Sequence, residues 1–496
     1  MADTFTIPAA QDAPAAPGAA PETAEAAPSN GKDEKLKTST KVAFAMGGTT
    51  DIFGHWLYNG MVDPVYNVFL GVSPTRVSIV RALMLLVDAC SGLFFGWLSD
   101  NTRSRWGRRR PYVLFGSIAS GLLLPVVFMA RPTWDSETIF WFMLITALAY
   151  SPVIASYNTP YQSLGAELTP DYNERTTVMA WRGFTQKAAG ALLQYGLWFA
   201  TLPMWTDPVT GKPDVAWGAV WWAAIMGLWM IGSGIANFIF VKERYYETAK
   251  KQGKAPFFKM FADASRCKPF LFVLGTALVY AVPTGLVGTL GFYALTYHVF
   301  HGDMTAAAPL HGANAVAYML AGFAGIIGAR QLSLKLGKKR TLTVTLLTGF
   351  VAFASAWWLY TPESPYLSLI ANALNGFSAT GLWVVLPSMQ VDVIDYDELH
   401  SHQRREAAYS ATFSWVMKVG MMLSMLIGGP LLEATGFDAK LGGAQSADAI
   451  LGIRLMFVGI PCIALVIALI LVQFFTLTPE RMADIRKQLE ARRGTV

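Results

Sequence analysis

Charged residues are scarce in this chain of 496: Asp, Glu, Lys and Arg supply 15% of it, while hydrophobic residues supply 53%. Soluble domains carry about 25% charged residues, so an aqueous surface of ordinary charge density is excluded. A mean hydropathy of +0.37 makes the bilayer the solvent. Cysteine is scarcer still. The three cysteines, Cys90, Cys267 and Cys462, are far apart and lack metal-ligand spacing, which excludes a disulfide framework. Also missing are a phosphate-binding glycine loop, a dinucleotide glycine pattern, a metal-ligand cluster and a nucleophile elbow, so an enzyme is not expected. No short apolar stretch with a small-residue cleavage site stands at the start, and the first apolar span is expected to direct insertion itself.

What the chain does have is long apolar runs separated by short basic segments. The segment 96–111 carries Arg103, Arg105, Arg108, Arg109 and Arg110 between two runs too long for a soluble core. Arg and Lys cost roughly 2.5–3.5 kcal/mol each at the bilayer centre and concentrate in loops that stay inside, so this hairpin sets topology and orientation. A shorter echo, with Lys335, Lys338, Lys339 and Arg340, lies at 333–340. Two basic hairpins after matching helices predict a chain of two parallel repeats. The net charge of +6 and pI near 9.0 follow from the positive-inside bias and require no nucleic-acid partner.

A window of about 20 residues predicts twelve spans, near 42–70, 77–99, 111–130, 138–163, 177–202, 216–241, 269–299, 306–330, 341–360, 364–392, 406–433 and 450–476. The fold expected is an all-α membrane protein, twelve transmembrane helices in two six-helix bundles. Residues 1–40, rich in Ala, Pro, Glu and Asp, are expected to be a disordered cytoplasmic tail. The first bundle is 41–241, a basic cytoplasmic linker is 242–268, the second bundle is 269–476, and 477–496 is a C-terminal tail on the same side. Prolines inside spans, such as Pro64, Pro125, Pro152 and Pro160, are tolerated there because neighbouring helices re-satisfy the freed backbone.

Chemistry is expected where charge is buried. Asp51 and Asp88 fall inside the first and second spans, Arg182 and Lys187 inside the fifth, and Lys418 inside the eleventh. At about 3 kcal/mol apiece, five unpaired charges would consume a typical fold stability of roughly 5–15 kcal/mol. They must face one another or a water-filled cavity. Asp88, about eleven residues from either end of its helix, falls at the bilayer midplane, since eleven residues rise roughly 16 Å. Asp51, His55 and Asn59, spaced i, i+4 and i+8, form one polar stripe able to bind hydroxyl groups. Asp63 is expected near the outer end, partly solvated. Aromatic residues at 157–162, Trp181 and Trp383 suit stacking on sugar C–H faces.

Three motifs together carry a resemblance: the run 158–175, beginning Asn-Thr-Pro-Tyr-Gln; the hairpin 100–111; and Asp392-Val-Ile-Asp-Tyr-Asp-Glu-Leu at 392–399, followed by Arg404, Arg405 and Glu406. Over about 41–477 the chain resembles the glycoside-pentoside-hexuronide:cation symporters of the major facilitator superfamily, which include melibiose permease and have plant sucrose transporters as more distant relatives. The resemblance implies that Asp51 binds sugar, that Asp88 is the first of two cation-binding aspartates, that Arg182 and Trp383 line the sugar pocket, and that Lys418 stands near the cation site. Two positions depart from the melibiose pattern. Gly92 replaces the second cation-binding acid, and Asn158 with Gln162 replaces an aspartate and a tryptophan. Sodium needs several oxygen ligands at once, so loss of a carboxylate favours a proton.

The expected activity is therefore cation-coupled symport of a glycoside or small oligosaccharide by alternating access, with a proton the better expectation than sodium. No cofactor is expected beyond that coupling ion. The substrate-binding set is Asp51, His55, Asn59, Asn158, Gln162, Arg182 and Trp383, and the coupling set Asp88 and Lys418. The acidic loops four-to-five and ten-to-eleven are expected to gate the cytoplasmic side and to hold the outward-facing state, through Glu167, Asp171, Glu174, Asp395 and Glu398 facing Arg103 and Arg105. A bacterial inner-membrane protein is expected, monomeric, with both termini cytoplasmic, its partners a small sugar and the lipid bilayer. An uncoupled facilitator or exporter, a lysolipid carrier and a non-transporting sugar sensor remain as alternatives.

Overall fold

In a computed structural model, the described residues are 36–166, 168, 172–208, 211–242, 267–401 and 405–493. Among them run twelve long helices, here α1 (Thr38–Val62), α2 (Pro74–Asn101), α3 (Arg110–Val126), α4 (Ser136–Ala166), α5 (Tyr172–Leu193), α6 (Val215–Phe240), α7 (Lys268–Tyr293), α8 (Met304–Leu336), α9 (Lys338–Leu359), α10 (Ser368–Ser401), α11 (Glu406–Ala434) and α12 (Ala447–Gln473). Nine of the described helices are long and apolar enough to cross a membrane. The apolar α3 has only 17 residues, and α1 and α5 carry the polar residues of the site. Most of the expected linker 242–268 lies outside the described residues, as do 1–35 of the expected tail.

Helix starts are written into the sequence. Ser73, Asp214, Asp303 and Ser446 each accept a hydrogen bond from the backbone N–H three residues on, satisfying a donor that the first turn leaves free. The turn between α8 and α9 is a single residue, Gly337, at φ +79°, a conformation that costs glycine little. The two halves repeat one detail. Both α1 and α7 continue into a π-helical stretch, Asp63–Phe69 and Ala294–Val299, that brings buried Tyr66 and Tyr297 inward.

Helices approach closely where glycines face each other. A Cβ at Gly227 would lie 2.2 Å from the carbonyl oxygen of Gly121, joining α3 to α6, and one at Gly376 would lie 2.1 Å from that of Tyr318, joining α8 to α10. With lipid as apolar as any side chain, such close backbone contact supplies the association energy. Three tyrosines of α4 fasten it to α1: Tyr150, Tyr157 and Tyr161 donate to the carbonyls of Gly54, Gly47 and Phe44 at 3.1, 2.8 and 2.5 Å. Tyr157 and Tyr161 are buried and stacked on one another at 5.4 Å. The aromatic run expected to face sugar is thus part of the frame.

Two boundaries differ from the sequence reading. Helix α10 runs on to Ser401, so Asp392, Asp395, Asp397 and Glu398 sit on its last turns instead of in a loop. The C-terminal segment forms a helix, α13 (Pro479–Arg493), whose Met482, Ile485 and Leu489 recur at helical spacing and are buried in the core of the second half.

Candidate functional site

Four helices of the first half and one of the second meet at a polar cluster centred on His55. The stripe on α1 places Asp51 and His55 one turn apart, and His55 Nδ1 lies 3.5 Å from Asp51 Oδ1. Across to α2, His55 Nε2 lies 3.2 Å from Asp88 Oδ1. From α4, Asn158 Nδ2 donates to His55 Nδ1 at 2.7 Å. With Nδ1 accepting, the ring proton belongs on Nε2, where it is donated to Asp88. The other Asp88 oxygen faces Lys418 Nζ of α11 at 3.8 Å. Asp51 is held from α5, by Gln186 Nε2 at 3.1 Å and Arg182 Nη2 at 3.5 Å. Arg182 lies over the Tyr161 ring at 5.2 Å.

These charges are interlocked rather than exposed. Side chains of Asp51, Asp88 and Arg182 keep less than a fifth of their surface, and each carboxylate has two cationic or donor groups against it. That arrangement meets the cost of burial, since a buried charge is tolerated when paired and hydrogen-bonded. Some polar atoms remain without a partner. Asn158 Oδ1, Asn59 Oδ1 and Arg182 Nε are buried and hydrogen-bond nothing among the described residues.

Beside the cluster, between the halves, lies a cavity of about 980 Å³. Ile52 and Trp56 of α1, Lys187 of α5 and Met417 of α11 line it, each adjacent in the chain to a residue of the cluster or one turn from it. Asn59 and Trp383 reach it directly, and Gln194, Asn314, Asn372 and Asn375 add amides among Tyr280, Tyr318 and Phe413. An apolar, aromatic wall with a few amides is the usual form of a small-molecule pocket.

The cavity is closed at the end remote from the basic hairpins. There Thr75 N and Oγ1 donate to Glu433 at 3.1 and 2.6 Å, Gly429 N donates to Ser78 Oγ at 2.7 Å, and Tyr293 OH donates to Asn67 Oδ1 at 2.7 Å. Arg81 Nη1 reaches Thr289 Oγ1 at 3.3 Å. All four contacts join the first half to the second.

The family of MFS/sugar transport proteins matches residues 43–479. The chain belongs to that family. This transporter is 24% identical to the uncharacterized symporter YnaJ of Bacillus subtilis, over 92% of the chain and 96% of that protein. It is 24% identical to an isoprimeverose transporter of Lactiplantibacillus pentosus, over 85% and 86%. Its fold is similar to the crystal structure of a bacterial homolog to the human lysosomal transporter Spinster, with a TM-score of 0.66 at 16% identity over 92% of this chain and 98% of that one.

Asp51, His55, Asn158, Arg182, Asp88 and Lys418 come together in one cluster, and Asn59 and Trp383 line the adjoining cavity. Gln162, one turn from Asn158, is exposed and hydrogen-bonds none of the described residues. Asp63 is not partly solvated. It is buried at 7% exposure and paired with Arg81, itself 6% exposed, at 2.8 Å. Arg81 was not singled out, although it sits seven residues before Asp88 on an apolar helix and was as readable as Lys418. Gln186 was missed because an amide in a polar helix carries no signal.

At the hairpin end Arg103 and Arg105 are exposed and form no ion pair with a described residue. The buried arginines of that hairpin are Arg108 and Arg109, beside Asp100 at 3.8 and 2.9 Å. Glu174 pairs with Lys41 of the transporter's own first half at 2.6 Å. Asp392 pairs with Lys338 at 2.7 Å and Arg486 at 3.2 Å, within the second half. Asp395 and Glu398 stand on the last turns of α10, and Glu167 and Asp171 lie outside the described residues.

Proposed function

We propose that the protein is a proton-coupled symporter that moves a glycoside or small oligosaccharide across a bacterial inner membrane, as a monomer with both termini cytoplasmic. The observation that carries this reading is His55, set between the aspartate assigned to sugar and the aspartate assigned to the cation. Asp88 faces an imidazole N–H and an ammonium, which are donors; a sodium ion would need oxygen ligands in their place. A proton needs one acceptor. When His55 takes a second proton, Nδ1 becomes a donor and must turn from accepting the Asn158 amide to donating, either to Asp51 or to Asn158 Oδ1 after the amide rotates. Protonation of His55 thereby changes the hydrogen bonding of Asp51 and Asn158, which are assigned with Asn59, Arg182, Gln162 and Trp383 to the sugar.

Alternating access then requires the two halves to rock about this site. The positive-inside rule assigns the basic hairpins to the cytoplasm, so the contacts at Glu433, Gly429 and Thr289 close the outer side of the state described. Closure of the inner side brings Glu174 of α5 and Asp395 and Glu398 of α10 toward the hairpin arginines Arg103 and Arg105. The names of the relatives, a symporter and an isoprimeverose transporter, support sugar symport as the reading.

Initial uptake in vesicles tests it. Uptake should rise with an inward proton gradient and be equal in sodium and choline. Asp88→Asn should abolish accumulation while leaving exchange of internal for external sugar, because an amide keeps the shape and cannot release a proton. Sodium-dependent uptake in the wild type, or accumulation undiminished in Asp88→Asn, would overturn the proton assignment.

A further inference from the structure

At the end remote from the basic hairpins, the second half carries a cation that no carboxylate answers. Arg454 stands two turns into α12, seven residues after Ala447, at the end where the positive-inside rule leaves few cations. Its Nη2 donates to the Trp357 carbonyl of α9 at 2.9 Å, and its Cζ lies over the Trp357 ring at 4.2 Å. The other N–H groups of the guanidinium bond nothing among the described residues, and no carboxylate of those residues comes within ion-pair distance. A guanidinium stays charged at any physiological pH. Half-buried and held by one carbonyl and one ring, Arg454 has both charge and donors to spare.

Two histidines complete the cluster. His298, half-buried in the π-helical stretch Ala294–Val299, is close enough to Arg454 and His301 for their charges to act on it. His301 is exposed at φ +52°, in a turn where Gly302 N donates to Thr296 O at 2.8 Å and Asp303 N to Phe300 O at 2.9 Å. Histidine takes that left-handed conformation more readily than most residues. The Gly443 backbone packs against the His301 carbonyl, where a Cβ would stand 2.4 Å away, and so fixes the turn. Asp303, two residues on, caps α8 by accepting from Ala306 N at 2.9 Å.

Depth and surroundings choose the partner. Trp357, Trp358 and Tyr360 close α9 at this end, and tryptophan and tyrosine collect at the level of lipid headgroups. Trp358, Leu451 and Leu455 are exposed near the arginine, an apolar surface that acyl chains cover in a bilayer. A free anion from water would leave that surface bare. An anion carried on acyl chains covers it.

We propose that Arg454, His298 and His301 bind the phosphate of an anionic phospholipid in the outer leaflet. The guanidinium gives charge-assisted hydrogen bonds to phosphate oxygens, and each imidazole has an N–H to donate in either protonation state. A net negative headgroup is selected, because the cluster has no carboxylate within ion-pair distance of Arg454 to offer a choline or an ammonium. The bound lipid ties together the end of α9, the start of α12 and the extension of α7, all within the second half. It is therefore held while the two halves rock, and the site is independent of the sugar and of the coupling ion.

Native mass spectrometry of the full chain in detergent, titrated with dioleoylphosphatidylglycerol, dioleoylphosphatidylcholine or soluble glycerol phosphate, tests the proposal. The wild type should hold its tightest phosphatidylglycerol about 10- to 100-fold more firmly than phosphatidylcholine, the range of hydrogen bonds to a charged group. Glycerol phosphate should not displace it. Arg454→Gln keeps a donor for the Trp357 carbonyl and should bring the affinity for phosphatidylglycerol close to that for phosphatidylcholine, while Arg454→Lys should retain part of the preference. His301→Asn, at an exposed turn that asparagine also accepts, should weaken phosphatidylglycerol binding by a smaller factor. Equal binding of the two lipids by the wild type, or a preference unchanged in Arg454→Gln and His301→Asn, overturns the proposal. Displacement of the lipid by glycerol phosphate at matching concentration makes this a free-phosphate site and overturns the lipid assignment. If Arg454→Gln does not fold, the wild-type lipid ratio and His301→Asn decide alone.

Discussion

Under the proton-coupled reading proposed above, Gly92 is the residue that sets the choice of ion at Asp88. It stands one turn beyond Asp88 on α2, and i,i+4 positions have Cβ atoms about 5–6 Å apart. An acid there would share a cation with Asp88, because two adjacent carboxylates favour a bound cation or one raised pKa over two free charges. Space is limited but present: a Cβ at Gly92 would meet Thr159 Oγ1 at 3.3 Å, a hydroxyl that can rotate and donate to the new carboxylate. Gly92→Asp is therefore expected to add sodium stimulation to an uptake that the proposed proton coupling makes insensitive to sodium. Initial rates in sodium and choline at fixed pH check it, and an unchanged ratio in a folded, transport-competent variant would refute the two-carboxylate argument. At this scale the sequence was informative about Asp51, Asp88, Arg182 and Lys418, since a charge in an apolar run has few explanations. It was uninformative about Gln186 and Arg182's contact with Tyr161, because those depend on how α5 is rotated.

At the scale of helices, the pairing of α3 with α6 rests on two glycines whose backbones touch. Gly227 has no room for a side chain, its Cβ position lying 2.2 Å from the Gly121 carbonyl oxygen. Gly227→Val should push the helices apart and cost about 1–3 kcal/mol, the usual range for overpacking, read as a lowered unfolding temperature in detergent. A variant as stable as wild type would mean that this crossing is not a tight contact. Helix existence was legible from apolar length, while helix ends were not. The acidic cluster at 392–398 looks like a loop by polarity, yet α10 carries it to Ser401, because a helix already nucleated in the bilayer propagates into water at little further cost.

For the whole molecule, closure of the cavity at the end remote from the basic hairpins involves Arg81, which bonds within its own half to Asp63 and the Asn59 carbonyl and across to Thr289. Opening that side must break the Thr289 contact while the pair with Asp63 persists. Removal of the arginine strands a buried carboxylate, a change that typically costs 3–5 kcal/mol. Arg81→Met is accordingly expected to destabilise the protein by about that amount, and a second change, Asp63→Asn, to restore part of it. Thermal unfolding of the two single variants and the double variant measures the coupling. Additive effects would show that Asp63 and Arg81 act independently.

The sequence by itself determined that the chain is an all-helical membrane protein and which of its apolar helices carry charge. The reason is physical: a bilayer demands runs of about 20 apolar residues, and it makes every exception expensive. The tertiary structure alone decided which charges meet. Asp51 and Asp88 lie 37 positions apart in the chain, and only the packing of α1 against α2 puts His55 between them. Likewise Asp63 reads as a near-surface residue until α2 brings Arg81 to it, and Lys187 reads as a snorkelling lysine until α8 and α10 cross beside it. Pairing depends on helix rotation and crossing, which close contacts such as Gly121 with Gly227 set and which apolar length does not encode.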